Sequence, residues 1–462
     1  VERRTVIWKR ALIAIVAAAG TAAAARPAAG GDVDARVGVR AGDAEMPSAR
    51  ILAALEPGPR RELLAEVLGR NAKIAALKAQ ADAAEQRAPQ VSALPDPMAA
   101  LTAYLRPPET RVGPQRFMGS LSERFPWFGK LGLRERMALL AAAQASEKVE
   151  AARLSVMTEA RRALDELGFL DEYEKIVRDD RATLSHYEEL ARARYSAGVG
   201  LEQSIVKLQA EITKDDARVL EIGTRRGALT AQLNALRDRP PGTPVAAGGL
   251  PAGSRIEFDA AAARTLALSR RPEITAADAG VEESETAVAL ARKEYAPDLT
   301  LGISYTDVGT RTDGAGKMNP PPDNGQDILA VSAGINLPIW RRKLAAGVEE
   351  AAARESASRS ARIAATDDID RALADLASRI PLTWQRVRLF EDVLIVQAEQ
   401  SLRSAEAAYS SGTLHALDLL DAERVLLEVR IQSKRALADY DTAVAELEGA
   451  AAAPVKEISH VR

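Results

Sequence analysis

The stretch "RYSAGVGLEQSIVKLQAEI" covers residues 194–212, and "AYSSGTLHALDLLDAERVL" covers residues 408–426. In each, a tyrosine stands three residues before a glycine: Tyr195 before Gly198, and Tyr409 before Gly412. A glycine at the end of a helical period supplies a left-handed cap. Each stretch therefore reads as the turn of a helical hairpin. The rest of the chain repeats its order around these turns. "RNAKI" (70–74) is matched by "RRPEI" (270–274), "SALPDPMAALTAY" (92–104) by "YAPDLTLGISY" (295–305), and "RFPWFGK" (124–130) by "NLPIWRR" (336–342). Landmarks kept in one order indicate an internal duplication. The boundary is "RPPGTPVAAGGLPAGSR" (239–255), which is rich in proline and has no helical period.

Each half has the same predicted elements. A helix comes first, over 60–92 and 259–294. Two short strands follow, Met98–Tyr104 with Phe117–Phe125, and one from Leu299 with Ile328–Leu337. Leu299, Leu301, Ile303 and Tyr305 alternate with Thr300, Gly302 and Ser304, the period of a strand. Long helices are expected over Leu131–Arg194 and Lys343–Ala408, each reaching about 100 Å at 1.5 Å per residue. Pro381 predicts a kink in the second. Return helices follow over 201–238 and 413–449. Leu201, Ile205, Leu208 and Ile212 make a coiled-coil seam in the first. In the second, one seam runs Leu419, Ala422, Leu426, Val429, Ser433, Ala436, Tyr440, Ala443, Leu447. Another runs Leu417, Leu420, Leu427, Ile431. A helix with two seams has neighbours on both sides, as in a closed cylinder of helices.

Composition agrees with long helices in narrow contact. Aromatic residues are 4% and charged residues 27% of 462. The formal net charge of −3 gives no basic face for nucleic acid. The absence of cysteine excludes disulfides, thiolate metal sites, cysteine nucleophiles and a lipid-anchoring cysteine. Arg3, Arg4, Lys9 and Arg10 precede an uncharged, mostly apolar run to residue 25 with small residues at its end. That is the three-part pattern of a secretory signal peptide. The expected organisation is a signal peptide over 1–25, a flexible segment over 26–45, a first repeat over 46–238, a linker over 239–256, a second repeat over 257–450, and a tail over 451–462.

Export suggests a role for the strands. Strands in an outer membrane must close completely, because unpaired backbone groups in lipid cost several kcal/mol each. Four strands cannot close, but three chains would supply twelve, an even number within the bacterial range. Phe125, Trp127, Phe128 and Trp340 follow strands two and four, where an interfacial aromatic belt would sit. The plainer reading of these aromatics is helix-start packing, and that of the strands is a small soluble β domain.

The duplicated order of strand, strand, long helix, turn and helix, with its two Tyr-x-x-Gly turns, resembles the TolC-like outer-membrane efflux proteins. "LPDP" (94–97) and "FPWFGK" (125–130) look most like the cobalt–zinc–cadmium-type, heavy-metal RND branch, and "DYDTAVAELEGA" (439–450) resembles the family's usual ending. The resemblance implies a mainly α fold with a small β part: a trimeric 12-stranded outer-membrane β-barrel, four strands per chain, continuous with a periplasmic α-helical barrel. It implies an exit duct that docks to a periplasmic adaptor and an RND-type inner-membrane pump and exports small substrates, with metal cations the class suggested by the branch. Alternatives are the outer-membrane component of a type I protein secretion system, or a periplasmic coiled-coil scaffold without a pore.

Carried over by residue, the resemblance places a periplasmic gate at Asp418 and Asp421, six and nine positions after Gly412, with Tyr409. The alternative for the two aspartates is a solvated helix start, where the dipole favours them. It places an adaptor-docking tip at Arg194, Tyr195, Gly198, Leu201, Gly412 and Leu414. Ser204 and Leu414 depart from the family's acidic and arginine residues at those offsets, which puts the detailed latch in question but not the turn. Asp215 and Asp216, farther along the first return helix, are expected to lie outside the gate.

No catalytic set is present. His186 and His415 lie near the turns and His460 near the end, none with a histidine or cysteine partner at helical spacing. "GTRTDGAGKM" (309–318) lacks the first glycine of a phosphate loop, and Met318 replaces its Ser/Thr. Neither an enzyme, a cofactor nor a resident metal is expected.

Overall fold

The computed structural model describes residues 46–459, apart from Ala247, Phe258 and Thr312. The expected signal peptide (1–25) and flexible segment (26–45) lie outside the described residues. In chain order the elements are α1 (Pro47–Ala54), α2 (Pro59–Arg70), α3 (Ala72–Glu85), α4 (Arg87–Ser92), β1 (Met98–Ala103), β2 (Glu109–Thr110), β3 (Gly113–Phe125), α5 (Lys130–Ser196), α6 (Glu202–Leu236), α7 (Ala260–Arg270), α8 (Pro272–Lys293), β4 (Leu299–Val308), α9 (Gly314–Met318), β5 (Ile328–Ile335), α10 (Arg341–Leu389), a π-helical turn (Phe390–Leu394), α11 (Ile395–Ser410), α12 (Ala416–Ala451) and α13 (Val455–Ile458). The fold is mainly α with one small sheet.

Two expectations need correction. The helices read as continuous over 60–92 and 259–294 are each broken at the repeated landmark. Asn71 accepts the Lys73 and Ile74 amides at 3.0 and 3.2 Å and starts α3 anew. At the equivalent place Pro272 begins α8, after Arg271 has left the helical region. A side-chain cap and an N1 proline both restart a helix locally, while the apolar period runs on across the break. The first repeat breaks once more, at Gln86. α10 holds Pro381, where the kink is expected, within its span, and a π turn follows it at Phe390–Leu394. A π turn inserts a residue and shifts the helix face.

The long first helix is as expected: α5 has 67 residues without interruption. It packs on α6 within its hairpin and on α12 of the other hairpin, while α12 also packs on α10 and α11. Both seams of α12 are thus occupied: Leu419, Leu426, Ala436, Tyr440, Ala443 and Leu447 are buried, and so are Leu420, Leu427 and Ile431. The linker adds a clasp. The Tyr440 hydroxyl donates to the Ser254 carbonyl (2.7 Å) and accepts the Ile256 amide (3.0 Å).

Candidate functional site

The four main strands form an antiparallel sheet in the order β1-β3-β4-β5, so the two repeats are joined through β3 and β4. Directly paired residues share a face. Ala99, Leu121, Ile303 and Val331 form one cross-strand row, Leu101, Gly119, Tyr305 and Leu329 the next, and Phe125, Leu299 and Ile335 another. The opposite face carries Ser120 with Ser304, Met98 with Ser122, Gly302 and Ser332, and Thr102 and Thr306 on either side of Met118, with Ile328 next to Thr306. The first face is mostly apolar, with Glu123 beside Leu301, and the second is mostly small or polar, with Met98, Met118 and Ile328 among its serines and threonines. The apolar face is exposed, with Leu101, Ile303, Leu329 and Val331 all open. Among the described residues, β1 and β5 each pair on one side only.

Below the sheet, "FPWFGK" turns the chain into α5. Trp127, Phe128 and Trp340 are exposed and Phe125 is half-buried. The Trp127 and Phe128 rings meet edge to face at 5.8 Å. The motif's last residue is the unexpected one. Lys130 is 1% exposed, and its ammonium donates to the Asp298 carboxylate (2.9 Å) and the Ala296 carbonyl (3.1 Å). Asp298 also accepts the Trp127 amide at 3.0 Å. Burial would raise the Asp298 pKa, but Lys130 and the Trp127 amide outweigh it and hold the carboxyl below its usual value. The start of the first long helix is therefore pinned to the start of the second repeat's first strand.

At the far end, the two turns are built alike. Gly198 (φ +76°) and Gly412 (φ +81°) take the left-handed conformation. The following amide closes back across the turn in each, Val199 to the Arg194 carbonyl and Thr413 to the Ala408 carbonyl, both at 3.0 Å. The turns are tied together by Arg194. Its guanidinium lies 4.2 Å from the centre of the Tyr409 ring and donates to the carbonyls of Tyr409 and Ser410. Tyr409 is buried, while Tyr195 and Leu201 are open; Leu414 is half-buried. Ser204, the position without the family's acid, is buried.

Asp418 is exposed at the start of α12 and accepts the His415 amide at 3.4 Å, closing a capping box. The Asp421 side chain is 73% exposed, 3.3 Å from Arg424. The structure thus places both aspartates on one open face, whereas Tyr409 is engaged by Arg194. The two comparison positions differ from each other. Asp216 is an exposed partner of Arg181 at 2.6 Å, but Asp215 is fully buried. It stands one step along the seam from Ile212, so the helical period itself could have signalled its burial.

Replacing Arg194 by Ala removes a cation–π contact and two charge-assisted bonds to the second turn. This should cost about 1 kcal/mol or more. Amide exchange over residues 405–414 is expected to speed up about fivefold or more. Unchanged exchange there would show that the second turn stands without Arg194.

Comparison with known proteins agrees with this architecture. Residues 263–453 match the family model of the outer membrane efflux proteins. A 173-residue stretch is 27% identical to the pyoverdine export outer membrane protein OpmQ of Pseudomonas putida, covering 36% of this chain and 34% of that protein. The matched part thus spans about a third of that relative's length. Among solved structures, a membrane protein from Pseudomonas aeruginosa is similar with a TM-score of 0.72 at 18% identity, over 89% of this chain and 94% of that one. The outer membrane protein VceC of Vibrio cholerae is similar with a TM-score of 0.70 at 21% identity, over 86% and 96%. The fold is that of these TolC-like outer-membrane channels.

Proposed function

We propose that this protein is the outer-membrane exit duct of a tripartite efflux system. Three copies close their sheets into a twelve-stranded barrel facing outer-membrane lipid, and their helical hairpins continue into the periplasm. The observation that carries the reading is the sheet. A largely apolar open face, a mostly small or polar opposite face and two one-sided edge strands suit a barrel completed by neighbouring copies, with lipid outside and water inside. Trp127, Phe128 and Trp340 sit where the strands end, at the level of a membrane interface. The hairpin turns form the end that docks to a periplasmic adaptor and, through it, to an RND-type inner-membrane pump. Cargo is small solutes, and an acidic ring at the tip favours cations. The sheet does not suit a pore-free scaffold, which has no use for an exposed apolar face.

Gentle detergent extraction of the membrane fraction followed by native mass measurement is expected to give three chains. A monomer in the soluble periplasmic fraction would overturn the reading. The assignment of ends has its own check, because the chain has no native cysteine. Cysteines at Ser196 and Ser410 should crosslink to the adaptor, and a cysteine at Trp127 should not. The reverse pattern would invert the molecule.

A further inference from the structure

Between the apolar layer that includes Leu184, Leu208 and Leu420 and the layer that includes Val177, Ile222 and Leu427 lies a layer of acids. Asp180 falls between Val177 and Leu184 on α5, Asp215 between Ile212 and Val219 on α6, and Glu423 between Leu420 and Leu427 on α12. All three occupy seam positions, at steps of three and four from their apolar neighbours. They are 6%, 0% and 4% exposed. Asp180 lies within hydrogen-bonding reach of both Asp215 and Glu423. Yet Asp180 Oδ1, Asp215 Oδ2 and Glu423 Oε2 are buried with no N–H or hydroxyl donor facing them. Three ionised carboxylates cannot satisfy one another, since each is only an acceptor. A proton on one of them supplies the missing donor.

The surrounding charges do not neutralise the layer. On α6, Arg218 donates to Asp215 Oδ1 at 2.8 Å, while Glu211 is taken up by Lys214 and by Arg424 of α12. On α5, the Tyr187 hydroxyl donates to Glu406 of α11, so it is spent. Arg430 of α12 is paired with Glu399 of α11 at 3.1 Å and acts on Glu423 only from a distance. Thus one guanidinium directly faces three buried acids. Burial first, and then Glu423 and Asp215, push the Asp180 pKa well above the carboxylate range; burial likewise pushes Glu423 up. Among the described residues no group of three His, Cys, Asp or Glu is placed to hold a metal ion.

We propose that Asp180, Asp215 and Glu423 form a proton-sharing latch that ties the return helix of the second hairpin to the first hairpin, and that releases when the shared proton is lost. α12 packs on α5 along this seam, so charge repulsion within the layer acts directly to part the two hairpins. The separated state lets water reach the acids and restores their ordinary pKa. A group whose pKa is raised in the closed state stabilises that state fully below the ordinary carboxylate range. The contribution declines as pH rises and is gone above the raised value. Alkaline pH therefore shifts the population toward parted hairpins. The latch concerns contacts within one chain, and its test does not depend on what passes through the protein.

Spin labels on cysteines replacing Ser196 and Ser410 report the separation of the two turns in the purified full-length protein in detergent. Between pH 6 and pH 10 the wild-type distance distribution is expected to shift to longer values, and the infrared band of a protonated carboxyl to disappear over the same range. Burial pushes the Asp441 carboxyl, outside the latch, up to about 7, so part of the band belongs to it. Asp180→Asn supplies a permanent N–H donor of the same shape, so it should abolish the distance change, remove the latch's share of the band and keep the short distance at pH 10. Glu423→Gln provides a second route to the same loss. A protonated-carboxyl band at pH 6 that is the same in the wild type and in Asp180→Asn, or an undiminished distance transition in both variants, would overturn the latch. So would a transition abolished by a chelator at constant pH, since a bound cation would then be the missing partner.

Discussion

Lys130→Met is expected to destabilise the protein by about 3–5 kcal/mol, because it leaves Asp298 and the Ala296 carbonyl at the base of the sheet without their ammonium. Denaturant unfolding in detergent micelles would measure this. Combining it with Asp298→Asn should recover most of the loss, since removing both charges avoids an uncompensated one. The pH dependence has a fixed sign. A carboxyl held below its usual pKa contributes stability that is present above the ordinary carboxylate value and lost as pH falls through the lowered one. The gap between wild type and Lys130→Met should therefore narrow in acid, below roughly pH 4. A single variant within about 1 kcal/mol of wild type, well short of that buried-pair cost, would mean that the clamp is incidental.

The second large effect is expected at the tip. In a trimer, Asp418 and Asp421 would place six carboxylates around one axis. Such a focus of charge concentrates cations locally. Replacing both by Ala should lower sensitivity to block by multivalent cations on the order of tenfold, with weaker cation selectivity and easier opening. Single-channel recording in a planar bilayer reads all three. Asp216 is the proper control, being exposed and paired with Arg181, whereas Asp215 is buried and its loss would disturb the seam. If the double variant keeps wild-type selectivity and block while Asp216→Ala alters them, the two aspartates are only a solvated helix start.

The features that the sequence determined by itself are those with a short repeat. Heptad steps in α12 disclosed both of its neighbours, because a seam is written every three or four residues. The turns at Gly198 and Gly412 were legible because a left-handed cap needs glycine at one position, and the strands because alternation has a period of two. The ordered landmarks exposed the duplication. The tertiary structure alone decided what joins distant segments: the pairing of β3 with β4, the burial of Lys130 against Asp298, and the bracing of Tyr409 by Arg194. It also decided where the π turn falls, at Phe390–Leu394 beyond Pro381. Asp180, Asp215 and Glu423 stand between these cases. Each sits at a legible seam position, but only packing brings three helices' acids into one layer. A charge in a local pattern reads as solvated until the fold shows what lies across from it.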